Sequence, residues 1–381
     1  MPNYNTAITQ QPAYKITALQ DKAQALRDQG IDIINATIGD PKDDTPVNVQ
    51  QTLVQSLTSK SYSQYPRYIG TDALRTNIAN WANNAYGSQL DPDTQIVACN
   101  GTKEAIYSFP TLFDWSNGQS ILIPSLSYPV YQMSANYMHI PTVSLPLTES
   151  SGFLPDLDAI DPAVLENAQL FWINSPHNPT TAIASLDYLK QLVKLAEQYD
   201  FIVCSDECYN DLYSNQVPAS ILEVDSENWV CFRSLSKRSH MTGYRSGAIM
   251  SNNKTLMAHL KKMRSPMGVG SPSFVQSAAT WAWGDESHVA NHRDHYNQKR
   301  LKLKHAVGAA GLQVFGGDAG FYLWIKSPHH ATSESLSDWF LDRGILVTPG
   351  TVFGPDGDPY IRLVFCLTDD VLDTCIQRIA S

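Results

Sequence analysis

The sixteen residues FRSLSKRSHMTGYRSG, Phe232 to Gly247, hold Lys237, Arg238 and Arg245, with Arg233 near their start, in a chain that is acidic as a whole. A lysine in such a stretch can be a surface charge, a phosphate contact or an amine nucleophile. Neighbouring cations disfavour an ammonium ion, so they are expected to hold Lys237 near neutrality, where its amine can attack a carbonyl. Arg245, eight residues further on, can grip a phosphate through two parallel N–H bonds. Ser234 and Ser236 add hydroxyl donors. The pattern points to an amine beside an anion site, with the other cations facing the anion.

Such a site needs elements to assemble it. The runs SILIP (120–124), LFWIN (170–174), FIVCSD (201–206) and VCFRS (230–234) are rich in β-formers and end in polar or turn residues. SLDYLKQLVKLAEQY (185–199) repeats its apolar residues at helical spacing. Short buried strands alternating with helices predict an α/β layer with a mostly parallel sheet, sandwiched by helices. Ligands of such sheets sit beyond the C-terminal strand ends, where Asn174, Asp206 and Ser234 fall. The tail differs. Residues 271–311 read as one or two long helices, and GFYLWIKS (320–327), ILVTPG (345–350) and YIRLVFC (360–366) as strands flanking a helix near 333–343. A large α/β domain over 45–275 is expected, with a smaller α+β domain built from 1–44 and 276–381.

Composition sets limits. The chain has 381 residues, 43% hydrophobic and 17% charged, enough for one large domain and a companion. Twenty-seven Lys+Arg against 37 Asp+Glu leave a net charge of −10, which argues against nucleic acid or an anionic membrane as partner. No apolar run approaches the roughly 18 residues that span a bilayer. The start, MPNYNTAITQQPAYKITALQ, lacks an apolar signal-peptide region, and a cytoplasmic location is expected. The six dispersed cysteines then read as reduced thiols. Cys204 and Cys208 have no second pair, so no metal centre is expected.

The motif Ser234-Leu235-Ser236-Lys237 with Arg245 resembles the lysine motif of fold-type I pyridoxal-phosphate (PLP) aminotransferases. Seven further segments resemble that family in its own order: ATIGDP (36–41), QYPRYIGTDALR (64–75), NGTKEAIY (100–107), PSLSYPVY (124–131), NSPHNPT (174–180), SDECYNDLY (205–213) and YIRLVF (360–365). The resemblance implies pyridoxal 5'-phosphate held by Lys237 through Schiff-base chemistry, with Gly101, Thr102, Lys103, Ser234, Ser236 and Arg245 at the phosphate. It implies Tyr128 stacked on the pyridine, Asn178 and Tyr209 at the phenolic oxygen, and Asp206 at the ring nitrogen. It implies Arg362 and Gly39 at the substrate α-carboxylate, and Tyr65 reaching a neighbouring subunit's phosphate. A homodimer with shared active sites and small-molecule amino-acid and keto-acid substrates follow from it.

Within the family, SLSKRS, SDECY and FVQSAATWAWGDESHVANHRDHY resemble the succinyldiaminopimelate aminotransferase branch of lysine biosynthesis. That branch moves an amino group between glutamate and N-succinyl-2-amino-6-oxopimelate. An aminotransferase for aspartate, aromatic amino acids or N-acetylornithine, or a PLP-dependent C–S lyase, is the alternative. Thr181 stands where the family usually has Gly, His177 where a small residue is common, His240 where the branch often has Asn, and Thr242 where it often has Pro. Lys15, Arg67 and Arg264 are candidate anchors for a distal carboxylate, each also readable as a surface charge. His288, His292 and His295 share a helix face, read as solvated. Gly268-Val269-Gly270 reads as a hinge between domains.

Overall fold

The computed structural model describes residues 2–9 and 15–381. Seven strands form its main sheet: β1 (Ile96–Cys99), β2 (Ser120–Pro124), β3 (Thr142–Leu145), β4 (Ala168–Asn174), β5 (Ile202–Asp206), β6 (Trp229–Ser234) and β7 (Gly247–Met250). Their order is β1-β7-β6-β5-β4-β2-β3, and only β7 runs against its neighbours. The mostly parallel sheet expected from the sequence is present. Every residue of β2 and β6 is buried, because helices cover both faces of the sheet. Alternate side chains still divide between those faces. Leu122, Phe171, Val203 and Cys231 join one core, with helix Leu186–Tyr199. Ile121, Leu170, Cys204 and Val230 join the other, with helices Thr102–Ser108 and Lys254–Arg264.

Local chemistry sets the element limits. In helix Leu186–Tyr199 the buried stripe is Leu189, Leu192, Val193 and Ala196. Ser185 Oγ caps its start by accepting from the Tyr188 N–H at 3.1 Å. Asp200 closes it in a left-handed conformation.

A second sheet holds four short antiparallel strands: β8 (Gln313–Phe315), β9 (Tyr322–Lys326), β10 (Thr348–Pro349) and β11 (Ile361–Val364), in the order β10-β11-β9-β8. It packs with helices Ser287–Ala309, Ser333–Asp342 and Asp369–Ala380. Ile34–Asn35 pairs with Ile345–Leu346, which ties the beginning of the chain to this smaller body. Residues 271–311 form two helices, and the first, Ser273–Gly284, contributes Ala278, Ala279, Ala282 and Trp283 to the main-sheet core. The expected boundary at 275 would cut that helix. We propose that the large unit keeps it and the small unit resumes after Gly284.

Two expectations are corrected. Gly268-Val269-Gly270 is no interdomain hinge: it joins helices Lys254–Arg264 and Ser273–Gly284, and both pack on the main sheet. The histidine face is not solvated. His288 is buried, with Nδ1 2.7 Å from Asp285 Oδ2 and Nε2 2.8 Å from Ser239 Oγ. His292 lies flat on His240, ring centroids 3.7 Å apart, and His295 stands beside Asp43 and Asp369. A polar helix face can pack when the opposite surface, here residues 238–240, is itself polar.

Burial pushes His288 down to about 4 and His240 down to about 3, from an ordinary 6.5. As pH falls, the unfolded chain takes up these protons first, so stability is full above pH 6.5 and lost progressively below it, down to the folded values. Thermal melts across this window should show that decline, and His288→Gln should make it shallower. An equally steep decline in the variant would contradict the assignment.

Candidate active site

The C-terminal edge of the main sheet opens into a cavity of about 320 Å³. At the end of β6, Ser234 Oγ accepts from the Ser236 N–H at 3.1 Å and so starts the short helix Leu235–Arg238. That turn brings Lys237 into the cavity, where its Nζ donates to the carbonyl oxygen of Gly39. Arg238 leaves on the other side, because successive helical residues point about 100° apart. It is buried over the rings of Trp81 and Trp283, at 5.3 and 4.9 Å, and pairs with Glu286 and Asp211. The expectation that Arg238 faces the anion site of the cavity is overturned. The Lys237 ammonium is still held below its ordinary value, and burial is the leading cause. Arg362 acts in the same direction, while Cys366, Asp40 and Cys208 oppose it. The amine is disfavoured as a cation by desolvation, and not by the cations adjacent in sequence.

Asp206, at the end of β5, is buried in the cavity wall. Its Oδ2 accepts from the Tyr131 O–H at 2.7 Å and its Oδ1 from the Cys208 N–H at 3.4 Å. Both donors are neutral. Burial raises the Asp206 carboxyl above its ordinary value, and the bonds from Cys208 and Tyr131 pull it back. Tyr131 is itself fixed by lying flat on Trp172 at 4.7 Å. Next to Asp206, Asn174 donates its Nδ2 to the Asp206 carbonyl oxygen at 2.7 Å and accepts the Asn178 N–H at 2.7 Å. Asn178 Oδ1 then accepts from Arg362 at 2.7 Å, and Arg362 also donates to the Thr37 carbonyl oxygen at 2.7 Å. Tyr209 and Tyr128 line the same cavity.

At the other end, Gly101 has φ 74° and starts helix Thr102–Ser108. A Cβ at Gly101 would lie 2.5 Å from Arg245 Nη2, so only glycine lets the guanidinium lie across this turn. Arg245 donates to the carbonyl oxygens of Thr242 at 2.8 Å and Asn100 at 3.2 Å, neither of which carries charge. Burial, then Arg245, holds the Lys103 ammonium below its ordinary value. Thr102, Lys103, Ser234, Ser236 and Arg245 line the cavity together. Two cations, three hydroxyls and a helix start suit a phosphate, and the buried Asp206 carboxyl suits a cationic ring nitrogen. The donor set fits pyridoxal phosphate.

Tyr65 is fully exposed and is not among the cavity-lining residues. Nor are Arg67 and Arg264, two of the candidate distal anchors. Arg264 is buried and gripped by both Glu104 oxygens, at 3.0 and 2.7 Å, while Glu104 also accepts the Asn100 N–H at 2.9 Å. Arg264 therefore braces the turn beside Gly101. Arg67 is exposed and paired with Asp72, and the Lys15 side chain lies outside the described residues. Sequence reading missed Tyr131, Asn174 as a bridging amide, Asp40 and Thr37, although Tyr131 follows Tyr128 by three residues in the same motif. Tyr131→Phe should move the Asp206 carboxyl further up, since it removes a bond that favours the carboxylate. Infrared titration of that carboxyl measures it; an unchanged titration would contradict the contact.

The sequence matches the model of the aminotransferase class I and II family over residues 31–379. It is 35% identical over 375 residues to the LL-diaminopimelate aminotransferase of Aquifex aeolicus, covering 97% of this chain and 96% of that one. It is 35% identical over 376 residues to the protein of the same name from Oleidesulfovibrio alaskensis, covering 97% and 96%. Among solved structures, substrate-bound BacF from Bacillus subtilis superposes with a TM-score of 0.94 at 26% identity, covering 100% of this chain and 98% of that one. Members of the family use pyridoxal phosphate. With a lysine, an aspartate and two arginines gathered on one cavity and a family match over nearly its full length, the chain belongs to the class I and II aminotransferases.

Proposed function

We propose that this aminotransferase acts on an amino acid with the diaminopimelate skeleton. The convergence of Lys237, Asp206, Arg245 and Arg362 on one cavity supports amino transfer, and the relatives' name supports the skeleton. Bound PLP supplies an electron sink for the pair left when the substrate's α-proton is removed. The protein's own groups do the rest. Lys237 Nζ, disfavoured as a cation by burial, takes that proton from Cα and would return it to the carbon on the far side of the amino nitrogen. Asp206 would balance positive charge at the ring nitrogen. Gly101, Thr102, Lys103, Ser234, Ser236 and Arg245 would hold the phosphate, Tyr128 would cover the ring, and Asn178 and Tyr209 would hold its oxygen. Arg362 binds the substrate α-carboxylate beside Gly39, where a bidentate pair suits its geometry. A second copy of the chain completes the site through Tyr65, whose full exposure supports that role.

The relatives' name favours LL-diaminopimelate as amino donor. The succinylated substrate, with glutamate as donor, is the second reading, and the SLSKRS and WAWGDESHV wording favours it. Both share a long dicarboxylate with one reacting amino end. The test titrates the PLP-loaded protein with LL-diaminopimelate, its N-succinyl derivative and glutamate, followed by 2-oxoglutarate. Loss of the visible absorption with LL-diaminopimelate, and its return with the keto acid, is expected. Response to the succinylated compound and glutamate but not to LL-diaminopimelate would decide for the second reading, and response to neither diaminopimelate compound would reject both. Arg362→Gln should raise KM for the productive donor by about 100-fold, the scale of a lost charged hydrogen-bond pair. An unchanged KM would remove Arg362 from substrate binding.

A further inference from the structure

Thr181 stands where the family usually has glycine, and its backbone shows why glycine is usual. It has φ 63°, a left-handed conformation that is costly for a β-branched residue. Such strain persists only where the surroundings hold it. Here the loop is closed on itself: the Thr181 N–H donates to the His177 carbonyl oxygen at 2.7 Å, and the His177 N–H to the Ala182 carbonyl oxygen at 2.8 Å. The side chain makes the further contact. Thr181 Oγ1, buried, accepts from the Gly317 N–H at 2.6 Å. Gly317 lies in the turn between β8 and β9, on the smaller sheet. A Cβ on the neighbouring Gly316 would lie 2.7 Å from Thr181 Oγ1, so the turn presents bare backbone to the hydroxyl.

The two ends of this contact lead to the site. Asn178 is three residues before Thr181 in the same loop. Beyond Gly317 the chain enters β9, where Trp324 sits opposite Arg362 of β11. Arg362 returns to the loop by its bond to Asn178 Oδ1. The Tyr322 hydroxyl adds a third link, donating to the His177 carbonyl oxygen at 3.4 Å. A glycine at 181 would relieve the strain but leave a buried N–H without its acceptor.

We propose that Thr181 is a positioning residue for substrate binding: its hydroxyl locks the β8–β9 turn onto the Asn178 loop and thereby sets where Arg362 stands over the cavity. This rests on the reading of Arg362 as the carboxylate-binding arginine. The hydroxyl touches neither substrate nor cofactor, so it acts on substrate affinity and leaves the chemical step alone.

The test compares Thr181→Val, Thr181→Ser and Thr181→Gly in the PLP-loaded protein. Valine keeps the shape and removes the acceptor, serine keeps the acceptor, and glycine removes both the strain and the acceptor. The expected result is a KM for the productive amino donor, and a Kd for the inert dicarboxylate maleate, raised about tenfold in the valine and glycine variants. Serine should stay near wild type, with kcat within about twofold and PLP affinity unchanged in all three. Hydrogen exchange in 313–321 should rise in the valine variant. The proposal is overturned if exchange rises while KM and Kd stay at wild-type values. It is also overturned if kcat, substrate binding and PLP binding all weaken together with thermal stability and serine does not rescue. A wild-type protein that responds to no amino donor and does not bind maleate overturns this proposal together with the functional reading; wild-type response with an identical valine variant overturns this proposal alone.

Discussion

A guanidinium taken out of water needs its hydrogen bonds supplied by the protein, and Arg362 is only 4% exposed. Its partners come from two distant parts of the chain, the Thr37 carbonyl oxygen and the Asn178 side chain. The three segments meet only if the smaller sheet, the N-terminal stretch and the strand-end loops of the main sheet close on one another. The cavity is the space left inside that closure. Burial of Lys237 follows from the same arrangement, since Gly39 lies two residues beyond Thr37 and accepts from its amine. Desolvation of the amine is thus a consequence of how the two sheets are joined.

The cavity divides its charges by burial. Asp206 sits deep, between a phenol and an amide, where an uncharged wall raises its carboxyl and leaves it short of a cation. Arg245 sits at the exposed end with carbonyl partners that do not neutralise it. A ligand with a cationic ring nitrogen at one end and a phosphate at the other satisfies both. The glycine at 101 and the Arg264–Glu104 pair belong to the same design: the first makes room for Arg245, and the second fixes the turn that Arg245 crosses.

Much of this was legible in the sequence because the relevant signals are local. Strands buried on both faces read as apolar runs, and Asn174, Asp206 and Ser234 could be placed at their ends before any contact was known. Motif spacing selected residues that share the cavity. What was not legible was direction. Lys237 and Arg238 are adjacent cations, yet one step of about 100° along the helix sends one into the cavity and the other away from it, and a charge count cannot tell them apart. The His288–His292 face looked solvated because helical polarity reports the residue's own chemistry and not the surface it meets. Arg264 looked free for the same reason: Glu104 is 160 residues away in sequence. Thr181 registered only as a departure, and its role needed the backbone angle and the position of the β8–β9 turn.

Lys237 is the amine at the centre of this cavity. The most direct measurement is borohydride reduction of the PLP-loaded protein followed by peptide mapping of the attached pyridoxyl group. Stoichiometric label on the peptide containing Lys237 is expected, lost when an amino donor is added before reduction. Label on Lys103 or another lysine, or no stable label at all, would contradict it.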